Sequence, residues 1–296
     1  MTARTFATRA LTLVGALTVS LIALSLVFSL GKPAWLQPDR VGVLHLDGEI
    51  TSDEAFLGDL DFLRGDPSVK AIVVRIDSPG GAVAPSQSIY QELKALREAG
   101  VPVVASLQSV GASGGYYVAL AADTILALPG SITGSIGVLM EFPNTQPLME
   151  KLGVSMEVVK SAEHKDIGSP FRAATEGDRA VLQAMIADVY DQFVDVVQEA
   201  RGLTDTRVRE LADGRIFSGR QAAADGLIDR EGNLTDAIAV AGRMAGLGDE
   251  PETVSPPAPR ASLLDVLLGA GASSLAERLH AGAATLQGPR LRYVAH

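Results

Sequence analysis

From residue 41 onward the chain repeats one pattern: a short run of branched apolar residues bounded by Gly, Asp or Pro, then a stretch with apolar residues at helical spacing. Residues 41–46, 69–76, 101–107, 124–128 and 155–159 read as strands. Residues 86–100 carry Ile89, Leu93 and Leu96 on one face and end on a glycine suited to a helix C-terminus. Strands alternating with helices predict an α/β domain on a mainly parallel sheet, because parallel neighbours need a crossover between them. Beyond Lys165 the pattern turns helical. Thr175 and Asp178 form an N-cap arrangement, followed by a stripe of Leu182, Met185, Ile186, Val189, Phe193, Val196 and Val197 that suits the core or a subunit interface. Residues 215–229 read as a short strand, a Ser218-capped helix closing near Gly226, and another strand.

The ends of the 296-residue chain behave differently. Residues 10–30 are uncharged and apolar, and about twenty such residues in a helix span a bilayer core of roughly 30 Å. A cleavable signal has a shorter apolar region, so this run predicts a retained transmembrane anchor. Arg4 and Arg9 precede it without an acidic residue, which places residues 1–9 in the cytoplasm and the bulk of the chain on the periplasmic side of an inner membrane. Residues 31–40, with Pro33, Trp35 and Pro38, form a linker, and residues 41–248 form one domain. Residues 249–296 are a proline-rich break and an amphipathic tail carrying Leu263, Leu264, Val266, Leu267, Leu275 and Leu279. The chain has no cysteine, which excludes thiol nucleophiles and cysteine-ligated metals. A formal charge of −10 without basic runs argues against nucleic acid as a partner.

Ser113 lies in Ser109-Val-Gly-Ala-Ser-Gly-Gly-Tyr-Tyr117, on a glycine-flanked bend between a strand and a helix start. Small neighbours let a substrate carbonyl approach the backbone there, and the free N–H groups of a helix N-terminus favour developing negative charge. The same segment also suits a plain turn that packs a helix closely on a sheet. A nucleophilic serine needs a base. His45 falls inside a strand, His280 and His296 in the tail, and His164 alone in a loop, beside Lys160 and Lys165. A lysine serves as general base where burial disfavours the ammonium form, although most lysines are solvated surface groups. Asp77-Ser-Pro-Gly-Gly81, taken alone, is an ordinary turn whose glycines can face an N–H to a ligand.

Taken in order, Asp77-Ser-Pro-Gly-Gly81, Ser109–Tyr117, Thr133-Gly-Ser-Ile-Gly-Val138, residues 160–170 and Gly226-Leu-Ile-Asp229 resemble the signal peptide peptidase family of membrane-anchored Ser-Lys proteases, in its short single-domain form. The resemblance covers roughly residues 41–245. It implies Ser113 as nucleophile, Lys165 as general base with Lys160 as runner-up, Ser135 as the hydroxyl that orients the lysine, and the N–H groups of Gly81 and Gly114 as the oxyanion hole. It further implies a Clp-protease/crotonase-like spiral of ββα units behind the transmembrane helix, a ring- or dome-like homo-oligomer, remnant signal peptides as substrates, and no cofactor or metal. The alternatives are a related protease clipping membrane scaffold proteins, a crotonase-type acyl-CoA enzyme, and an inactive scaffold.

Overall fold

The computed structural model describes residues 38–257 and 292–294, together with isolated positions 15, 18, 20 and 25. The expected anchor at residues 10–30, most of the linker and most of the amphipathic tail therefore lie outside the described residues. Among the described residues no helix is long and apolar enough to cross a membrane.

The chain runs β1 (Arg40–Asp47), α1 (Glu54–Arg64), β2 (Val69–Ser78), β3 (Gly80–Ala82), α2 (Val83–Glu98), β4 (Val103–Ala112), α3 (Gly114–Ala119), β5 (Thr124–Ala127), β6 (Ile132–Gly134) and α4 (Gln146–Lys151). After a 3-10 turn at Glu163–Asp166 come α5 (Glu176–Arg201), α6 (Asp205–Leu211), β7 (Ile216–Ser218), α7 (Gly219–Ala224), β8 (Arg230–Glu231), α8 (Leu234–Met244), β9 (Glu252–Val254) and β10 (Arg292–Val294). The main sheet has the order β7-β6-β4-β2-β1-β9, with β5 pairing β4 and β8. Every pair in it is parallel except β6 with β7.

The central strands are nearly continuous apolar runs because both faces of the sheet are covered. Ile72, Val74 and Ile76 of β2 join Leu44, Leu46, Leu60, Ile89, Leu93 and Phe193 in the larger core, whereas Ala71 and Val73 face the other way, against Val41, Val43, Ala237 and Ala241. Helices α1, α2, α3 and α5 thus cover one face, and α8 the other. Strand β4 carries β5 along Val104–Leu107 and then β6 along Val110–Ala112. This switch of partner brings the start of α3 beside the end of β6. Asp229, in the Gly-Leu-Ile-Asp motif, accepts from the Ile125 N–H at 2.7 Å and pairs with Arg201 at 2.9 Å, so that part of the resemblance has a structural purpose.

One local expectation is overturned. Residues 155–159 form no strand: every residue from 152 to 163 is exposed, and no neighbouring strand supplies a ladder. The alternation Val154, Met156, Val158 imitates a strand, but a strand needs a partner edge. The stripe on α5 is core in its second half, where Val189, Phe193 and Val197 are buried, and open at Met185, which is 39% exposed. The Thr175–Asp178 and Ser218–Gln221 caps are both reciprocal capping boxes. The proline-rich break contains β9, which adds to the sheet edge beside β1.

Candidate active site

β4 delivers Ser113 to the first turn of α3 with φ 52° and ψ −116°. Ser113 and Ser135 are the non-glycine residues with positive φ among those described. Such strain persists only where the surroundings over-determine it, and it concentrates at functional sites. The two serines are tied through adjacent backbone: the Ser113 N–H donates to the Gly134 carbonyl at 2.8 Å, and the Ser135 N–H donates to the Arg215 carbonyl at 2.8 Å. Ser113 is fully buried, and its Oγ is the one buried side-chain polar atom without a hydrogen-bond partner among the described residues. An orphaned buried hydroxyl costs about 1–3 kcal/mol, which a purely structural serine would avoid by making a bond.

The Asp-Ser-Pro-Gly-Gly turn packs against Ser113. A Cβ on Gly114 would lie 3.2 Å from the Gly81 nitrogen, and one on Gly115 would lie 2.8 Å from the Ser78 carbonyl oxygen, so only glycines permit this approach. Ile50 donates to the Gly80 carbonyl at 2.9 Å and accepts from the Ala82 N–H at 2.7 Å. Strand alternation then turns the Gly81 N–H and C=O to the opposite side.

That side is occupied by the chain's own C-terminal segment. β10 lies antiparallel to β3, with Tyr293 opposite Gly81 and Val294 opposite Gly80. Its other edge is held by Leu139, which exchanges two backbone hydrogen bonds with Arg292 at 3.1 and 3.2 Å. A Cβ on Gly80, at φ +97°, would lie 2.0 Å from the Tyr293 carbonyl oxygen and 2.5 Å from the Gly114 nitrogen. The Tyr293 carbonyl is thus seated beside the two glycine N–H groups singled out in the sequence. Its ring is fully buried, stacked on Tyr117 at 5.3 Å and tilted against Phe193 at 4.8 Å, and its hydroxyl donates to the Val189 carbonyl at 3.3 Å. Burial pushes the Tyr117 hydroxyl up to about 12, so this aromatic pocket is neutral across the working range.

Ser135, 7% exposed, opens on a cleft of about 540 Å³ that continues past Ile136, Val138 and Leu139 to Tyr190 of α5. The structure brings Ser113, Ser135, Gly81 and Gly114 together, and it does not bring Lys165 to them. Lys165 stands exposed on the 3-10 turn, without an ion pair or side-chain hydrogen bond among the described residues. Lys160 is committed elsewhere: its Nζ donates to the Glu163 carbonyl at 2.7 Å and to Asp166 at 2.8 Å. The tyrosine pocket and β10 were not identified in the sequence. Three residues of strand at the end of a long tail carry no periodic signal, and their partner lies about two hundred positions away.

Comparison with known proteins identifies the family. Residues 95–248 match peptidase family S49. The chain is 47% identical over 192 residues to the Synechocystis sp. protein named "Putative protease slr0021", covering 64% of this chain and 69% of that one. It is 38% identical over 183 residues to the Enterococcus faecium protein named "Putative signal peptide peptidase SppA", covering 62% and 53%. To Protease 4 of Haemophilus influenzae it is 34% identical over 210 residues, covering 68% of this chain and 34% of that longer protein. The acyl-CoA alternative finds no support in these matches. The chain belongs to peptidase family S49, the signal peptide peptidase family, and is a serine endopeptidase.

Proposed function

We propose that this protein is a membrane-anchored endopeptidase that cuts extended apolar peptides, remnant signal peptides among them, with Ser113 as nucleophile and Lys165 as base. The observation that carries the reading is the orphaned, strained Ser113 hydroxyl beside a peptide strand whose carbonyl sits at the Gly81 and Gly114 nitrogens. The neutral amine of Lys165 accepts the Ser113 proton as Oγ bonds to the scissile carbonyl carbon. The carbonyl oxygen takes the charge and is held by the N–H groups of Gly81 and Gly114. Collapse breaks the C–N bond, and the lysine proton passes to the leaving amine. Water, deprotonated by the same lysine, then releases the acyl group and restores the serine. Ser135 holds the lysine as it enters. The β4 partner switch suits the Clp-protease/crotonase-like spiral.

The dyad closes between copies of the chain. An exposed, unpaired Lys165 on a loop with exposed Leu152, Val154, Met156, Val158 and Val159 supports delivery to a neighbour's cleft, where desolvation would favour the neutral amine. Mixing Ser113→Ala and Lys165→Ala proteins, each inactive alone, is expected to restore measurable hydrolysis after subunit exchange. No recovery in demonstrably mixed assemblies would refute closure between copies. The aromatic and apolar pocket around Tyr293 supports large apolar side chains at the cleavage position, and an anchor at residues 10–30 would hold it near the outer membrane face. Protease added to spheroplasts is expected to digest the catalytic domain; full protection there would sink the topology.

A further inference from the structure

Among the described residues, Lys165 stands without a partner while the carboxylate next to it in the chain is doubly engaged; the Glu163 carboxylate makes no ion pair and lies toward the start of α5, 3.8 Å from where a Cβ on Gly177 would be. On its own turn, Glu163 offers its carbonyl to Lys160, His164 Nδ1 lies 3.1 Å from Asp178, and Asp166 accepts from two cations. Arg172, from the following loop, reaches Asp166 through Nε at 2.9 Å and Nη2 at 2.8 Å, a bidentate grip, while its Nη1 donates to Asp178. Asp178 is 1% exposed at the head of α5, where it also accepts from the Thr175 N–H at 3.0 Å. The planar guanidinium fork therefore bridges two carboxylates and ties the turn bearing Lys165 to a 26-residue helix.

Asp166 is the carboxylate adjacent to Lys165 in the chain. An unengaged carboxylate there would be the natural counter-ion for the lysine and would favour its ammonium form. We infer that Arg172 is a positioning residue for the catalytic lysine: by engaging both oxygens of Asp166 and anchoring them to Asp178, it keeps Asp166 from pairing with Lys165 and leaves that amine free to act as base. The Arg172 hydrogen bonds, with Lys160 next in weight, hold Asp166 well below the usual carboxylate range, and Arg172 does the same for Asp178. Both carboxylates thus stay ionised at every pH at which the enzyme would work, and the bridge persists there. Lys160 contributes a second cation to Asp166 and so acts on the same side. This inference rests on Lys165 being the base.

The test uses the full-length assembled enzyme and an apolar fluorogenic peptide, with kcat/KM followed against pH. Arg172→Gln is expected to move the rising limb upward by about half a pH unit, a roughly threefold loss at a fixed pH on the limb, in keeping with a partly screened surface charge. Adding Asp166→Asn to Arg172→Gln should bring the limb back, because the released counter-ion is gone. Arg172→Lys, which keeps the charge but cannot form the fork, should fall between wild type and Arg172→Gln; it also serves if the glutamine variant does not fold. A limb left in place by both Arg172 variants, whatever their melting temperatures, would overturn the inference. So would a displaced limb that Asp166→Asn fails to restore. If Lys165→Ala retains full activity, the base assignment falls and this inference with it. If Lys165→Ala is inactive while the Arg172 variants keep the wild-type limb, only the inference falls.

Discussion

Ser113→Ala is expected to abolish peptide hydrolysis, by at least about a thousandfold, and at the same time to make the protein more stable. The two effects have one cause. The Ser113 hydroxyl is buried without a partner, so removing it recovers about 1 kcal/mol of desolvation, or roughly 2–4 °C of melting temperature for a domain of this size. Alanine keeps the positive φ of 52°, so the gain reports on the hydroxyl and not on relief of backbone strain. A serine with a purely structural role would lose a hydrogen bond and destabilise the fold on the same substitution. Lys165→Ala should match the activity loss without the stability gain, because Lys165 is exposed and unpaired. Lys160→Ala should keep most activity, since the Lys160 ammonium serves Asp166. Intact mass after treatment with a serine-directed phosphonate should show an adduct in wild type and none in Ser113→Ala. A Ser113→Ala protein that still forms the adduct, or still cuts peptide, would remove Ser113 from the mechanism.

What the sequence discloses here follows from the range of each interaction. Strands β1, β2 and β4 were legible because burial on both faces demands unbroken branched residues, and the Thr175 and Ser218 caps were legible because a capping box is a four-residue event. Ser113 could be picked out by its small neighbours, whose role is to let Ser78, Gly80 and Gly114 approach closely. The strain and the missing hydrogen bond that distinguish it from an ordinary turn depend on Gly134, which reaches it through β6. The false strand at residues 155–159 fails for the complementary reason: alternation is a local property, and a ladder is not. The Arg172 bridge was equally hidden, because Asp166, Arg172 and Asp178 come from a 3-10 turn, a loop and a helix start, six residues apart each, with no shared period.

Deleting residues 292–296 is expected to lower KM for an added apolar peptide by about tenfold while leaving kcat unchanged. β10 lies antiparallel on β3 with its carbonyl at the glycine pair, which is where a substrate strand must lie for attack by Ser113. Complete burial of the Tyr293 ring contributes about 2–3 kcal/mol, and its stacking on Tyr117 somewhat more. Against this stands about 1–2 kcal/mol per residue for ordering the three residues of the strand. These opposing contributions nearly cancel, so the tail is held weakly; the expected tenfold change corresponds to a net hold of about 1.4 kcal/mol, with the groove open about one tenth of the time. A site open for that fraction binds substrate correspondingly more weakly, whereas a bound substrate reacts at the same rate. Tyr293→Ala in the full-length chain should reproduce most of the gain, since it removes the buried ring while leaving the backbone length intact. It also guards against the truncation disturbing the core around Phe193 and Tyr117. An unchanged KM in both variants, or a fall in kcat without a change in KM, would show that the terminal strand does not compete for the groove. A tenfold gain would place the peptide-binding edge at β3 and the specificity pocket among Tyr117, Phe193 and Val189.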